Sequence, residues 1–401
     1  MEELYLVMTN AGANNNKFYR MVPHGDVFDV YYGRIGASEQ HASYPISKWN
    51  TKYNEKIRKG YTDQTANHRT QVVTKKSEPE YKSIENDEIA KLVQMLQEYA
   101  ARTIRRHYRV SAMEVTPQMI QAAQAKINLL YLCRDVWAFN STLNELFMTL
   151  PRRMAQVADY MARDTRDFGK IISREQDLLD VMAGQVASVQ VVAPDNDESK
   201  GDPNKTILEA LGITIEPAQP TDYDCIEKHL GRSATLLDSA WVVKTSKTQK
   251  NFDAFMKKNP GTATKLLWHG SRNENWWNIL QTGLVLRPNA IITGKMFGKG
   301  IYFAPKARKS IGYTSLDGSC WAGGNSKTAY MALMEIAYGK PLHVYSYDYS
   351  KYHDFDYRRL RRAKKDALCL HAHAGANLRN DEIIVYREDQ ITIRYLVRLK
   401  K

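Results

Sequence analysis

The sequence predicts a multidomain α+β chain in three parts, and three observations carry that reading. Aromatic and β-branched runs separated by turn residues occupy residues 1–82, capped stretches with one apolar face occupy 83–193, and glycine-punctuated strands alternate with loops through 204–401. The polar segment 194–203, bounded by proline and glycine, reads as a linker ahead of the last part. With 401 residues, 43% of them hydrophobic, the chain is long enough to bury two or three cores.

In the first part, Leu4–Met8, Lys17–Val22 and Val27–Tyr32 are separated by the turns Gly12–Asn16 and Pro23–Asp26, which predicts a small antiparallel sheet. A helix follows, because Trp49, Tyr53 and Ile57 recur every four residues while Lys48, Lys52, Lys56, Arg58 and Lys59 take the other faces. In the middle part, Asn86 or Asp87 is placed to cap a helix carrying Ile89, Leu92, Val93, Leu96 and Ala100. Thr116–Pro117 reads as an N-cap with proline in the first turn, leading into Ile120, Ile127, Leu130 and Tyr131. Ser173 with Gln176 has the spacing of a capping box before Leu178, Leu179, Val181 and Met182, so an all-helical bundle is expected.

Charge and cysteine usage bound the function. A net charge of +13, from 57 basic and 44 acidic residues, favours polyanionic partners without saying which face meets them. No apolar run approaches the roughly 20 residues that span a bilayer, and MEELYLVMTN lacks the basic-then-apolar order of an export signal, so a soluble protein is expected. Cys133, Cys225, Cys320 and Cys369 are scattered, with no Cys-x-x-Cys pair, which speaks against a disulfide scaffold or a zinc finger and fits an intracellular setting.

The chemistry concentrates in the last part. Thr264–Arg272 reads as an apolar strand delivering His269 and Gly270 to a loop. Gly294, Gly298 and Gly300 bracket Phe297 and lead into Ile301–Ala304, from which Tyr302 projects. Ser310 and Tyr313 follow on a short helix, and the strand Glu382–Tyr386 opens with a carboxylate.

Taken together and in order, WHGS, GKMFGKGIYFA and NDEIIVY resemble the catalytic domain of the diphtheria-toxin-like ADP-ribosyltransferases, specifically the poly(ADP-ribose) polymerase family. The resemblance implies a mixed α/β fold built on two antiparallel sheets, NAD+ as substrate, and cleavage of its nicotinamide–ribose bond by the set His269, Tyr302 and Glu382. It further implies that His269 hydrogen-bonds the adenosine ribose and that the Gly270 backbone and the Ser310 hydroxyl hold the nicotinamide amide. Tyr302 and Tyr313 would flank the cationic ring, and Glu382 would bind the nicotinamide ribose and polarise the acceptor hydroxyl. Ser271 and Asn275 fall on the same NAD+-binding segment, while the arginine that the family often has at Val285 is offered here only by Arg287.

Tyr31–Gly36, at the end of the third strand, is similar to the WGR module of DNA-break-sensing members of this family, with Tyr32 where the tryptophan normally stands. This implies a DNA contact by Tyr32, Gly33, Arg34 and Lys52, the aromatic ring stacking on an exposed sugar or base and the arginine reaching phosphate. The helical stretch sits where the family has its regulatory domain, and Asn144–Pro151 echoes a helix-ending phrase of it. Its implied role is autoinhibition relieved by DNA, against the plainer alternative of a spacer.

Each residue has a bland reading by itself: His269 as a loop histidine, Tyr302 and Tyr313 as packing rings, Glu382 as a solvated strand end. Their joint order makes the sharper reading the better one. Gly324–Thr328 lacks the glycine before lysine of a phosphate loop, and no Gly-x-Gly-x-x-Gly opens a βαβ unit, which disfavours a Rossmann oxidoreductase. Cys369, His371 and His373 alternate on one strand face with no fourth ligand nearby, so no metal is expected. The basic run Arg358–Lys365 is open to DNA contact, polymer binding, a nuclear address or a solvated helix face. The expected protein is a DNA-break-activated NAD+ ADP-ribosyltransferase acting on protein acceptors including itself. It would be a monomer away from membranes, located with DNA, in the nucleus of a eukaryote or otherwise in the cytoplasm and nucleoid. The alternatives are a catalytically silent DNA-end-binding scaffold and a DNA-independent mono-ADP-ribosyltransferase, including one acting on nucleic-acid ends.

Overall fold

The computed structural model describes residues 2–65, 81–110, 112, 115–190, 202–286, 296–375 and 377–401. The chain divides into two compact units, one of Met1–Glu78 with Ala101–Gln190 and one of Pro79–Ala100 with Val191–Lys401.

The first unit opens with strands β1 (Leu4–Asn10), β2 (Asn15–His24), β3 (Val27–Arg34), β4 (Gln40–Pro45) and β5 (Thr62–Asp63), in the antiparallel order β4-β3-β2-β1-β5. The three expected strands are its centre. On one face Leu6, Tyr19, Met21, Phe28 and Val30 pack with Trp49 of helix α1 (Trp49–Arg58), whose ring meets Phe28 edge-on at 5.1 Å. On the other face Val7, Phe18 and Ile35 gather with Met148. The edge strand β4 went unforeseen because its sequence, QHASYP, is half exposed and carries little apolar alternation.

Helix α2 (Asp87–His107) starts where expected: the Asn86 side chain accepts hydrogen bonds from the backbone N–H groups of Glu88 (2.9 Å) and Ile89 (3.1 Å). Its residues 87–100 belong to the second unit, where Ile89, Leu92, Val93 and Leu96 join the core of Trp241, Tyr330 and Leu396. Helices α3 (Pro117–Leu130), α4 (Val136–Thr149) and α5 (Phe168–Gln190) belong to the first. Thr116 caps α3 at 3.2 Å from Met119 N, as its spacing predicts, although Met119 and Ala123 rather than Ile120 are buried beside Ile127 and Leu130.

The start of α5 corrects the sequence reading, since the helix begins at Phe168 and Ser173 lies inside it. Asp164 and Asp167 form a reciprocal capping box one turn earlier, and Phe168 stacks on Phe139 at 3.9 Å. The helix runs on from that capped turn, so Ser173 has no orphan N–H group to cap. Gln176 is left to pair with Gln124 at 2.8 Å.

The second unit holds strands β6 (Ile213–Pro217), β7 (Leu237–Thr245), β8 (Thr264–Gly270), β9 (Ile301–Phe303), β10 (Thr328–Ala337), β11 (Lys340–Val344), β12 (Ala367–Ala372), β13 (Glu382–Val385) and β14 (Ile391–Lys400). One sheet is antiparallel in the order β6-β7-β14-β10-β8. The other, β11-β12-β13-β9, is antiparallel except that β11 runs parallel to β12. The two sheets are joined where Trp268 and Ala304 exchange backbone hydrogen bonds at 2.9 and 3.0 Å. No helix among the described residues is long and apolar enough to cross a membrane. Of the expected linker only Asp202 and Pro203 fall within the described residues.

Candidate functional site

The join between the sheets places the chemistry. His269 leaves β8 beside the bridge, and its Nδ1 lies 3.1 Å from the carbonyl oxygen of Tyr302 in β9. A carbonyl only accepts, so Nδ1 carries the proton and Nε2 is the acceptor nitrogen of this imidazole.

Gly270 follows, packed so closely on the Ala307–Ile311 helix that an added Cβ would stand 1.9 Å from the Ser310 carbonyl oxygen. The buried Ser310 hydroxyl donates to the Trp268 carbonyl at 3.0 Å. Gly270→Ala must therefore push the helix off the strand. The expected cost is about 1–3 kcal/mol of stability, as for other overpacked sites, read as a lowered midpoint in denaturant unfolding.

The glycine-rich loop is clamped by two phenols. The Tyr302 hydroxyl accepts from Phe297 N at 2.9 Å and donates to the Gly298 carbonyl at 3.1 Å, while the buried Tyr386 hydroxyl donates to the Phe297 carbonyl at 2.7 Å. Gly298 adopts a φ of +69°, and a Cβ there would meet the Phe355 carbonyl at 2.1 Å, so both conformation and space require glycine. Burial holds the Tyr302 phenol well above its ordinary range, with Glu382 and Tyr313 adding to the effect against the Phe297 N–H. Burial likewise pushes Tyr313 up to about 12, again with a contribution from Glu382. Both tyrosines thus feel the same carboxylate. Tyr313 lies just beyond the helix expected to carry it, 41% exposed and stacked on Trp321.

Glu382, the first residue of β13, is 7% exposed and forms an ion pair with Lys309, its Oε1 lying 2.5 Å from Nζ. Lys309 also approaches the Asn380 carbonyl at 3.4 Å. Sequence reasoning missed this lysine, which among Lys306 and Arg308 looks like one more solvated charge; only its position beside Ser310 hinted at a role. Asn275 donates to Ser271 Oγ at 2.9 Å and keeps its own Oδ1 buried without a hydrogen-bond partner. That orphaned acceptor suits a polar ligand in this segment. Gly294 and Arg287 lie outside the described residues.

In the first unit, Tyr32 lies partly buried with its ring 5.8 Å from that of Tyr19, and Lys52 sits over the Tyr44 ring at 4.6 Å while pairing with Glu55. Gly33 has an extended backbone, its α-carbon facing the Ser38 carbonyl. The Arg34 guanidinium is taken up internally, donating to the carbonyls of Asn14 (2.7 Å), Met154 (3.1 Å) and Ala155 (2.7 Å). The basic run Arg358–Lys365 overlaps the helix Tyr357–Ala363, with Leu360 buried and Arg358 largely exposed.

Residues 222–401 match the family model of the poly(ADP-ribose) polymerase catalytic domain, and residues 2–68 match that of the WGR domain. By class, the chain is an NAD+ ADP-ribosyltransferase. It is 31% identical over 190 residues to the uncharacterized protein 101L of Invertebrate iridescent virus 6, covering 46% of this chain and 78% of that one. It is 30% identical over 205 residues to poly(ADP-ribose) polymerase 1 of Arabidopsis thaliana and 49% identical over 76 residues to poly(ADP-ribose) polymerase 2 of Homo sapiens. These alignments cover 49% and 19% of this chain, but only 19% and 12% of those longer proteins. The chain belongs to the poly(ADP-ribose) polymerase family.

Proposed function

We propose that the chain is a DNA-break-activated transferase that moves ADP-ribose from NAD+ to protein acceptors, itself included, with release of nicotinamide. The observation that carries this reading is that one site holds His269 against the Tyr302 carbonyl, Glu382 paired with Lys309, and Tyr302 and Tyr313 both within the electrostatic reach of Glu382. In this reading residues 1–82 form the DNA-binding module, 83–193 the regulatory helices, 194–203 a linker and 204–401 the catalytic domain.

Breaking the nicotinamide–ribose bond leaves an oxocarbenium-like ribose and a neutral leaving group that needs no acid, so positioning and charge placement do the work. The acceptor Nε2 of His269 takes a hydroxyl of the adenosine ribose, Gly270 and Ser310 hold the carboxamide, and Ser271 and Asn275 line the same segment. The two tyrosine rings sandwich the pyridinium. Glu382, oriented by Lys309, binds the nicotinamide ribose and takes the proton of the incoming hydroxyl as it bonds to the ribose carbon.

Tyr32, Gly33 and Lys52 supply the DNA contact, and the internal bonds of Arg34 support a route from that contact to the helices. An arginine tying the strand end to residues 154 and 155 is a discrete contact that a DNA phosphate would have to compete for, which biases the helical segment. The test is incubation of the pure chain with labelled NAD+, with and without nicked DNA. The expected result is label on the protein that rises at least about tenfold with DNA and falls as salt screens the contact. Labelling indifferent to DNA would retain the transferase and discard the sensor, and DNA binding without labelling would point to a silent scaffold.

A further inference from the structure

We propose that His343, His371 and His373, with Asp381 as their carboxylate, form a binding site for one divalent transition ion of the zinc type. Sequence order hid the set, because His343 lies on β11 and reaches the others only through the parallel pairing of β11 with β12. That pairing sets His343 directly across from His371, and His373, two residues further on, shares the same face. One ring nitrogen of each histidine lies within 4.8 Å of the other two. The shortest approach, 2.8 Å, is between His343 Nδ1 and His373 Nε2. A tetrahedral ion with bonds of about 2.0–2.1 Å sets its nitrogens roughly 3.4 Å apart, so side-chain adjustment alone closes the site.

The surroundings are those of held ligands. His371 Nε2 meets Asp381 Oδ2 at 2.9 Å and its Nδ1 meets the Tyr338 hydroxyl at 2.7 Å, so an ion takes one of these nitrogens in place of its present partner while the other stays held. Asp381 is itself anchored, its Oδ1 accepting from Ala374 N at 2.9 Å while Oδ2 lies 3.6 Å from His373 Nδ1. The Tyr345 ring stacks on His373 at 4.4 Å and nearly parallel. Fixed imidazoles with a carboxylate behind them are how proteins orient nitrogen ligands for zinc, and the nitrogen-rich donor set disfavours magnesium or calcium. Cys369, although two residues before His371, is spent elsewhere: it is fully buried, its thiol directed at the Tyr338 carbonyl. A bound ion would tie β11 and β12 to the turn that precedes Glu382, bracing the carboxylate at the neck of β13.

The test uses the untagged full chain, stripped with a chelator and titrated with Zn2+ by calorimetry and with Co2+ by visible absorption. One equivalent of each ion is expected, with the intense absorption of a four-coordinate Co2+ centre. His343→Ala and His373→Ala should each weaken binding at least about tenfold, the scale that even outer-shell changes produce. His24→Ala, which removes a histidine of the first unit, should leave it unchanged. Circular dichroism of the stripped variants checks that they fold as the parent does. Failure of the parent to bind a single equivalent, or parental affinity in either folded variant, would overturn the proposal. Because the readout is ion binding, the result stands whether or not the chain transfers ADP-ribose.

Discussion

Replacement of Glu382 by glutamine is expected to abolish chain elongation and to lower ADP-ribose transfer by about 10²–10⁴-fold, the range associated with loss of a positioned proton acceptor, while NAD+ binding persists. The substitution keeps the shape of a side chain that is 7% exposed and removes the charge that faces Lys309 at 2.5 Å. The amide oxygen still accepts from the ammonium, and Lys309 retains the Asn380 carbonyl, so the pocket keeps its walls. What is lost is the group that takes the acceptor proton. Gel analysis of labelled product gives chain length, and NAD+ titration gives affinity. Product of parental length from the glutamine variant would remove Glu382 from the base role. A proportional loss of NAD+ affinity would reassign it to ground-state binding.

The legibility of the fold followed the strength of local signals. Trp49, Tyr53 and Ile57 announced α1, and Thr116 announced the start of α3, because apolar period and capping chemistry act within one turn. The start of α5 was misread because the Ser173–Gln176 spacing falls inside a helix whose capping box lies further back, at Asp164 and Asp167. At the site, Trp268 to Gly270 and Gly298 to Tyr302 were readable because each glycine answers a close backbone approach. Lys309 and Glu382 were not readable as a pair, nor were His343 and His371, since nothing in the intervening sequence says which strands lie side by side. Arg34 shows a further limit: its residue type suggested phosphate, but three backbone carbonyls of its own unit reach it first.

Glu175→Ala is expected to destabilise the first unit by about 3–5 kcal/mol, the usual result of stranding one partner of a buried ion pair. Arg152 and Glu175 are each 2% exposed and meet at 2.5 Å. The guanidinium also donates from Nε to the His107 carbonyl at 3.1 Å and lies over the rings of Tyr108 and Phe147, while its Nη2 is buried without a partner. Glu175→Ala removes the carboxylate that meets that charge at contact distance, and a loss of this size is a large share of the about 5–15 kcal/mol that holds a domain together. Arg152→Met with Glu175→Leu removes both desolvation penalties and should come close to parental stability, so the pair of variants separates a stranded charge from a simple packing defect. Urea unfolding of each variant decides this, and a Glu175→Ala shift below about 1 kcal/mol would mean that water or a neighbour relieves Arg152. The same cluster sets a pH dependence: burial, with Arg152 next, pushes His107 down to about 4. An unfolded histidine titrates near 6.5, so between pH 6.5 and 4 the unfolded chain binds the extra proton. The contribution of His107 is therefore fully present above that window and is lost as the pH falls through it.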